Sequence, residues 1–408
     1  MTPQSPESER FHGNPSDRPD PIPIAVASGL ITEKDAELIK TYVYEHSTSA
    51  NISKVASLQL TRLLITSRKW SGPYSGATVM DLYKIVDGVK TGLSKNNKPF
   101  SEQTQREYIT RMKAFFLWLV ENGESQIPEK KINAVKPPVP FMGIKNASNL
   151  LSPDEILEIL NAFHSSRDRA MFTMLYEGGF RVGEVGTLKW ENVQFDSAGV
   201  VVNIVYKTKK PRYVRLIMCK NALAAWKADY PGDPSGEAYV FVNNRNEMNQ
   251  YHGVKKILER ALAKTTITKK VNLHLIRHSR VTHLIQEGVS ESVIKMVMWG
   301  SVNARSFATY AHLTGTDVDR EMCKLYGIET VTADKKERSL TPMICPRCKE
   351  ICGPTCRFCS SCGQPLNIDT INEYEDLQDW LMKNKVYLAA FLNKMDAIPE
   401  IDSPKPKH

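Results

Sequence analysis

The sequence predicts a multidomain, mainly α-helical protein with an α+β domain in its middle and a cysteine-rich unit near its C-terminus. Three observations support this fold class. The chain has 408 residues, more than one average domain. Apolar residues recur at three- and four-residue spacing along most of it, and two β-rich runs, Val200–Tyr206 and Tyr213–Ile217, interrupt that pattern. Six of the eight cysteines lie between Cys345 and Cys362.

The composition is that of a globular protein. Apolar residues make up 41% and charged residues 24% of the chain, which excludes a disordered polymer and a fibrous repeat. No apolar run approaches the roughly eighteen residues of a membrane span. The first residues also lack the basic region and apolar stretch of a secretory signal. We therefore expect a cytoplasmic protein without a membrane partner.

The charge is unevenly distributed. Residues 1–50 carry a net charge of −4 and residues 363–408 a net charge of −3, so the segment between them carries +16. A basic centre indicates a polyanionic partner, with nucleic acid as the first candidate. A lysine-rich, well-solvated surface is the alternative that charge alone leaves open.

The N-terminal third predicts a flexible leader over residues 1–30, a helical domain over 31–127 and a linker over 128–149. The leader is rich in Pro, Ser and Asp, and Pro137 and Pro138 prevent the linker from continuing as a helix. Basic residues lie on the faces of the expected four-helix bundle. Its predicted helices are Thr32–His46, Asn51–Arg68, Val79–Val89 and Ser101–Val120.

A second domain is predicted over residues 150–330. Ser152, Pro153 and Glu155 form the N-cap, first helical position and capping-box acid of a helix start. The two β-rich runs are joined by a basic turn into a small antiparallel sheet, to which Tyr239–Val242 adds a possible third strand. The helices predicted for this domain are Leu151–Phe163, Arg167–Glu177, Gln250–Ala263, Leu273–Gln286, Glu291–Met298 and Arg305–His312.

The cysteine-rich unit, residues 344–366, contains two CxxC knuckles. Each knuckle turns two thiolates toward one point, and four thiolates give the closed tetrahedral site of a structural Zn²⁺ ion, which would stabilise a segment too short for an apolar core. Cys352 and Cys356 are competing ligands. An amphipathic helix is predicted over residues 370–396. The expected zinc ligands are Cys345, Cys348, Cys359 and Cys362.

Five short motifs in the second domain carry basic or nucleophilic groups. Arg181 follows a helix break and has Glu184 three residues on, which indicates a guanidinium oriented by a carboxylate. Lys207 lies in the basic hairpin turn, where Lys209 is a lesser rival. His274 and Arg277 share one helix face, as suits a phosphate ligand. A metal held by His274 and His278 is the alternative there, but no Glu follows His274 in the HExxH manner.

The last two motifs are Met298–Trp299–Gly300, which closes an apolar helix, and Phe307–His312, in which Tyr310 follows a polar turn. Taken in order, the five motifs resemble those of the tyrosine recombinase (phage integrase) family. YEGGFRVGEVGTLKWENV resembles its first box and LHLIRHSRVTHLIQEG its second. The helical domain resembles the family's SAM-like core-binding domain. The tail with its cysteine-rich finger resembles the archaeal branch.

The resemblance implies a site-specific recombinase that cuts and rejoins DNA through a 3′-phosphotyrosyl intermediate, without ATP, nucleotide or catalytic metal. Arg181 and Arg277 would clamp the scissile phosphate, and Tyr310 would attack it. His274 would position or accept a proton, and Lys207 would protonate the leaving 5′-oxygen. Glu184 would orient the cations.

One motif departs from the family pattern. The family has His or Trp before the tyrosine, and here Trp299 is the candidate, although Gly300 could equally fall at that position. The implied partners are double-stranded DNA, closed in a clamp between the two domains, and three further protomers in a synaptic tetramer. The zinc ribbon and the C-terminal helix would contact protein or DNA.

Two other functions remain open from the sequence. A type IB topoisomerase uses the same tyrosine chemistry without synapsis. A DNA-binding protein that has the integrase fold without catalysis is the non-enzymatic alternative, against which the intact set of basic residues and Tyr310 argues.

Overall fold

Two large hydrophobic cores organise the part of the chain that the structure describes, and a smaller apolar cluster contains Met298 and Tyr310. The computed structural model describes residues 11–13, 19–94, 97–139, 150–205, 211–314, 326 and 340–383. Within them the protein is mainly helical with two small antiparallel sheets, as the sequence predicts. One core belongs to a helical domain of residues 19–139, and the other to a central domain of residues 150–314. None of the described helices is long and apolar enough to span a bilayer.

The helical domain has more helices than the four expected. Side-chain caps begin two of them, since Thr32 and Asp35 form a reciprocal capping box and Ser101 accepts from the backbone N–H of Thr104. The described helices are α1 Pro21–Ala27, α2 Glu33–Ser49, α3 Lys54–Ser67, α4 Val79–Thr91, α5 Glu102–Glu121 and α6 Glu129–Ala134.

Two of these helices fall where the sequence predicts none. Helix α1 lies in the expected flexible leader, and its Ile22 and Ala25 are buried in the helical core. Helix α6 lies in the expected linker and buries Ile132. Both helices are short, and a few apolar residues are enough to dock each one on the larger domain.

The central domain surrounds a three-stranded antiparallel sheet with helices. Strand β2 lies between β1 and β3, with Val202 opposite both Val193 and Val214. The sequence did not indicate β1. Residues Tyr239–Val242 form isolated bridges instead of a strand of this sheet. The elements are α7 Pro153–Asn161, α8 Ser166–Glu177, α9 Val182–Gly186, β1 Val193–Asp196, β2 Gly199–Val205, β3 Pro211–Leu216, α10 Lys220–Ala228, α11 Tyr251–Leu262, α12 Leu273–Gln286 and α13 Glu291–Trp299, followed by the 3₁₀ helix Arg305–Thr314.

The C-terminal part consists of a cysteine module, residues 340–367, and a final helix. In the module, β4 Met343–Ile344 pairs with β5 Ile351–Cys352. The final helix, α14, is described over Ile368–Lys383, and the remainder of the helix expected to residue 396 lies outside the described residues.

Candidate active site

The first predicted arginine lies in the turn between α8 and α9. The chain reverses at Gly179, whose φ is +53°, and a Cβ atom there would lie 2.3 Å from Met298 Sδ, so the position favours glycine. The backbone N–H of Arg181 donates to Glu184 Oε2 at 2.7 Å, and its Nη1 donates to Oε1 at 2.9 Å. Glu184 thus orients Arg181, whose side chain stays 33% exposed at the edge of a cavity.

Arg212 joins the same network, although no role was predicted for it from the sequence. Its guanidinium donates to Glu184 Oε2 and to the carbonyl oxygen of Met298, and lies 5.2 Å from the Phe180 ring. Burial lowers the pKa of Arg212, and the Glu184 carboxylate opposes that shift. The only sequence signal was its place at the start of a strand, directly after the basic turn.

The second predicted arginine, Arg277, comes from α12 and is buried. Its Nη2 donates to the Met298 carbonyl at 2.6 Å, and its Nη1 donates to the carbonyl of Gly179. The guanidinium also lies 5.5 Å from the Trp299 ring. Burial lowers the pKa of Arg277 to about 9, which leaves it protonated at neutral pH.

The three arginines carry more charge than their one carboxylate partner neutralises. Arg181 and Arg212 both pair with Glu184, and Arg277 is joined to Arg212 through the carbonyl that both contact. Because buried charges interact in a low effective dielectric, this net positive group favours an anion nearby. Guanidinium groups in such a setting suit phosphate oxygens.

Tyr310 lies next to this group in the 3₁₀ helix. Its side chain is buried, and its ring centroid is 6.4 Å from those of Trp299 and Phe307. Its hydroxyl is hydrogen-bonded to Nδ1 of His278. Burial raises the pKa of Tyr310 to about 12, while Arg277 lowers it. The hydroxyl is therefore protonated at neutral pH and requires a base before it can act as a nucleophile.

The histidine that contacts Tyr310 is His278, not His274. The His274 ring is exposed and lies 5.9 Å from the His278 ring, one helical turn away. The sequence assigned the proton-handling role to His274 alone. The i, i+4 spacing of the two histidines was the signal that both lie on one helix face.

Trp299 links the second arginine to the tyrosine. It ends α13, where Gly300 adopts a left-handed C-cap with φ 67°. Its ring contacts the Arg277 guanidinium and lies near Tyr310. Of the two candidates for this position, Trp299 is the residue that joins the network, because Gly300 has no side chain.

Two cavities flank His274. One of about 610 Å³ is lined by Arg181, His274 and Asn272 among others, and the second, of about 440 Å³, by His278, Lys269 and the same His274 and Asn272. Arg181, His274, Arg277, Trp299 and Tyr310 therefore lie in one contiguous region. Lys207 and Lys209 lie outside the described residues.

Four cysteines of the cysteine module come together. The sulfur atoms of Cys345, Cys348, Cys359 and Cys362 all lie within 4.8 Å of one another, with 3.5 Å from Cys345 to Cys362 and 3.4 Å from Cys348 to Cys359. These are the four predicted ligands. Among the described residues, the rival thiols of Cys352 and Cys356 are not part of this group. Four converging thiols fit the donor set of a structural zinc site.

The cysteine module docks on the start of α10. Lys220 Nζ lies 2.7 Å from Glu350 Oε1, Asn221 Nδ2 donates to Ser360 Oγ at 2.6 Å, and Asn221 Oδ1 accepts from the Gly353 N–H at 3.1 Å. Arg347 and Lys349 of the module are exposed.

A buried acid, Glu177, holds the surface on which the module docks. Its carboxylate accepts from the backbone N–H groups of Met218 at 2.9 Å and Cys219 at 2.8 Å, directly before α10. Burial raises the pKa of Glu177, and these N–H groups oppose the shift. The sequence did not single out Glu177, whose only signal is its place beside Gly178–Gly179.

Comparison with known proteins identifies the central domain. Residues 149–316 match the phage integrase family. The central domain is a phage integrase family domain. Over 234 residues the chain is 27% identical to tyrosine recombinase XerC of Halalkalibacterium halodurans, an alignment that covers 53% of the chain and 73% of XerC. It is also 27% identical over 195 residues to transposase A from transposon Tn554 of Staphylococcus aureus, covering 44% of the chain and 53% of the transposase.

Solved structures show the same fold. The chain superposes on the Tn1549 transposon integrase in complex with a circular intermediate DNA with a TM-score of 0.55, at 16% identity, over 71% of the chain and 99% of that integrase. It superposes on the lambda integrase bound to DNA with a TM-score of 0.52, at 13% identity, over 69% and 96%. Two further XerC relatives are covered over only 59% and 55% of their lengths. The archaeal branch stays a prediction.

Proposed function

We propose that the chain is a site-specific DNA recombinase that cleaves and rejoins DNA strands through a 3′-phosphotyrosyl intermediate. The observation that carries this proposal is the network in which Tyr310 lies beside Arg277, and Arg277 beside the Arg181–Glu184 pair. The phage integrase family domain at residues 149–316 and the similarity to tyrosine recombinase XerC support it, and the topoisomerase and non-catalytic alternatives are not favoured by the comparisons.

In the cleavage step, Tyr310 Oη attacks phosphorus, the P–Oη bond forms and the bond to the 5′-oxygen breaks. Arg181 and Arg277 bind the non-bridging oxygens, whose negative charge grows in the pentacoordinate transition state. Glu184 keeps Arg181 and Arg212 in place without reaching the phosphate. Trp299 holds the Arg277 guanidinium on one side.

Two proton transfers accompany cleavage. The Tyr310 hydroxyl donates its proton toward Nδ1 of His278, with which it is already hydrogen-bonded, and His274 contacts the phosphate or the second histidine. Lys207 donates a proton to the departing 5′-oxygen. Rejoining reverses these transfers, and the energy kept in the phosphotyrosyl bond removes the need for ATP or a catalytic metal.

We also propose that the cysteine module binds one structural Zn²⁺ ion through Cys345, Cys348, Cys359 and Cys362. The convergence of four thiols supports this assignment. The ion would supply folding free energy to a segment with little apolar core, and it would take no part in DNA cleavage.

Double-stranded DNA is the proposed substrate, held between the helical and central domains in a clamp. In the helical domain Arg62, Lys69 and Arg106 are exposed and available for phosphate contacts. Arg68 is instead paired with the buried Asp35, Nε to Oδ2 at 2.8 Å, so it has an internal structural role.

Synapsis would bring four protomers together on two DNA sites. Helix α14 exposes the apolar side chains of Leu377, Trp380 and Met382. An exposed apolar patch of this kind is typical of a protein–protein contact. We propose that this helix contacts a neighbouring protomer in the synaptic tetramer.

The proposal is tested by trapping the covalent intermediate. Genomic fragments that the wild-type protein binds are recovered and sequenced. Their sequences are then synthesised as nicked suicide duplexes. Wild-type protein should give an adduct that resists denaturation, and Tyr310→Phe should give none while still binding the duplex. Binding without any adduct on all recovered sites would favour a non-catalytic DNA-binding protein.

A further inference from the structure

An N-terminal residue lies in the core of the central domain. Phe11 is completely buried there, although the whole helical domain separates it in sequence from the residues it contacts. Its ring meets that of Tyr251 edge-on, with centroids 6.4 Å apart. The predicted flexible leader is therefore anchored at this point.

Phe11 packs against α9, the helix that begins directly after Arg181. Gly186, at the end of α9, leaves the space that the Phe11 ring occupies, because a Cβ atom at that glycine would lie 2.0 Å from Phe11 Cε2. No side chain larger than hydrogen fits between the helix and the ring without moving one of them. Phe11 thus packs against the element that positions the first arginine.

Anchoring Phe11 brings His12 to the candidate active site. The His12 ring lies 5.5 Å from the Tyr251 ring and lines the 610 Å³ cavity that Arg181 and His274 also line. Asn272 adds a further hydrogen-bonding side chain, and none of the described residues that line the cavity is acidic. A cavity with these donors and without a carboxylate suits a phosphate of the DNA backbone.

We propose that the Phe11–His12 segment is part of the recombinase active site, where His12 contacts a backbone phosphate adjacent to the scissile one. This inference rests on the proposed function. Phe11 is a positioning residue, since it holds the segment in place without reaching the cavity. His12 donates an N–H to a non-bridging oxygen and fixes the DNA beside Arg181.

The test measures both DNA binding and adduct formation by the full chain. Because a hydrogen bond to a charged group is among the stronger ones, His12→Ala should slow adduct formation about tenfold or more. His12→Asn, which keeps a donor, should recover part of the rate. His164→Ala is the matched control, since His164 is exposed beside the cysteine module and should leave the rate unchanged.

The contacted phosphate is located by methylphosphonate substitution, which removes the charge of one phosphate at a time. Wild-type protein should lose affinity and rate at one position next to the scissile phosphate, and His12→Ala should no longer respond to substitution there. Equal sensitivity of both proteins at every position would overturn the inference. Faster cleavage by His12→Ala would also overturn it, since it would make the segment an inhibitory plug.

Two further measurements separate this inference from the proposed function. Affinities measured in the Tyr310→Phe background test the His12 contact without any chemistry, so an inactive wild-type protein would count against the proposed function alone. Phe11→Ala should lower the melting temperature of the central domain and reproduce the rate loss of His12→Ala. If Phe11→Ala fails to fold, the His12 variants still decide the question.

Discussion

Removal of the Glu184 carboxylate is expected to destabilise the central domain strongly. Glu184 and Arg212 keep only 3% and 4% of their side-chain surfaces exposed, so the change leaves a buried guanidinium without its charge partner. Breaking such a pair costs about 3–5 kcal/mol of unfolding free energy. The contact with the one-third exposed Arg181 adds below about 1 kcal/mol because solvent screens it.

Urea unfolding of the full chain at neutral pH measures this loss, and hydrogen exchange of α9 locates it. Glu184→Ala should lose about 3–5 kcal/mol. Glu184→Gln should lose less, because the amide oxygen still accepts a hydrogen bond. Glu191→Gln, at an exposed position, is the control and should change stability by no more than about 0.5 kcal/mol. A loss below about 1 kcal/mol for Glu184→Ala would refute the buried network.

Three further predictions concern metal binding, pH and the leaving group. Purified protein should contain one Zn²⁺ ion per chain; Cys345→Ser should lose it, and Cys356→Ser should keep it, whereas equal zinc content in both variants would contradict the ligand assignment. Burial lowers the pKa of His283 from 6.5 to about 4, so the unfolded state takes up a proton before the folded state as the pH falls through this window. The free energy of unfolding should therefore fall by about 3 kcal/mol between these pH values. The urea midpoint of His283→Gln should fall less than that of the wild-type protein over the same range. Lys207→Ala should slow cleavage of ordinary DNA about 10²- to 10⁴-fold. The cleavage rate of this variant should recover on a substrate with a 5′-bridging sulfur, because the departing sulfur needs no proton donor. Lys209→Ala is the control, and a rate loss that persists on the sulfur substrate would exclude the acid role of Lys207.

Local sequence signals predicted the elements that local interactions determine. Ser152 and Glu155 indicate a helix start, and the structure has both hydrogen bonds of that capping box at α7. The glycine pair before Arg181 indicates a break, and Gly179 adopts the left-handed conformation required there. The two β-rich runs became β2 and β3 within about two residues.

Long-range packing explains what the sequence did not predict. Phe11 is a single aromatic residue in a polar segment, and its burial depends on the space beside Gly186, far along the chain. Strand β1 spans only four residues and is held by its pairing with β2. Arg212 and His278 gain their importance from the three-dimensional course of β3 and α12, which brings them to Glu184 and Tyr310.

The most direct test of the central claim is to identify the amino acid and the DNA end in the trapped adduct. After proteolysis, mass spectrometry should find nucleotide mass on the peptide that contains Tyr310, and exonuclease digestion should show attachment through the 3′-phosphate. Attachment to another residue, or through a 5′-phosphate, would contradict the account.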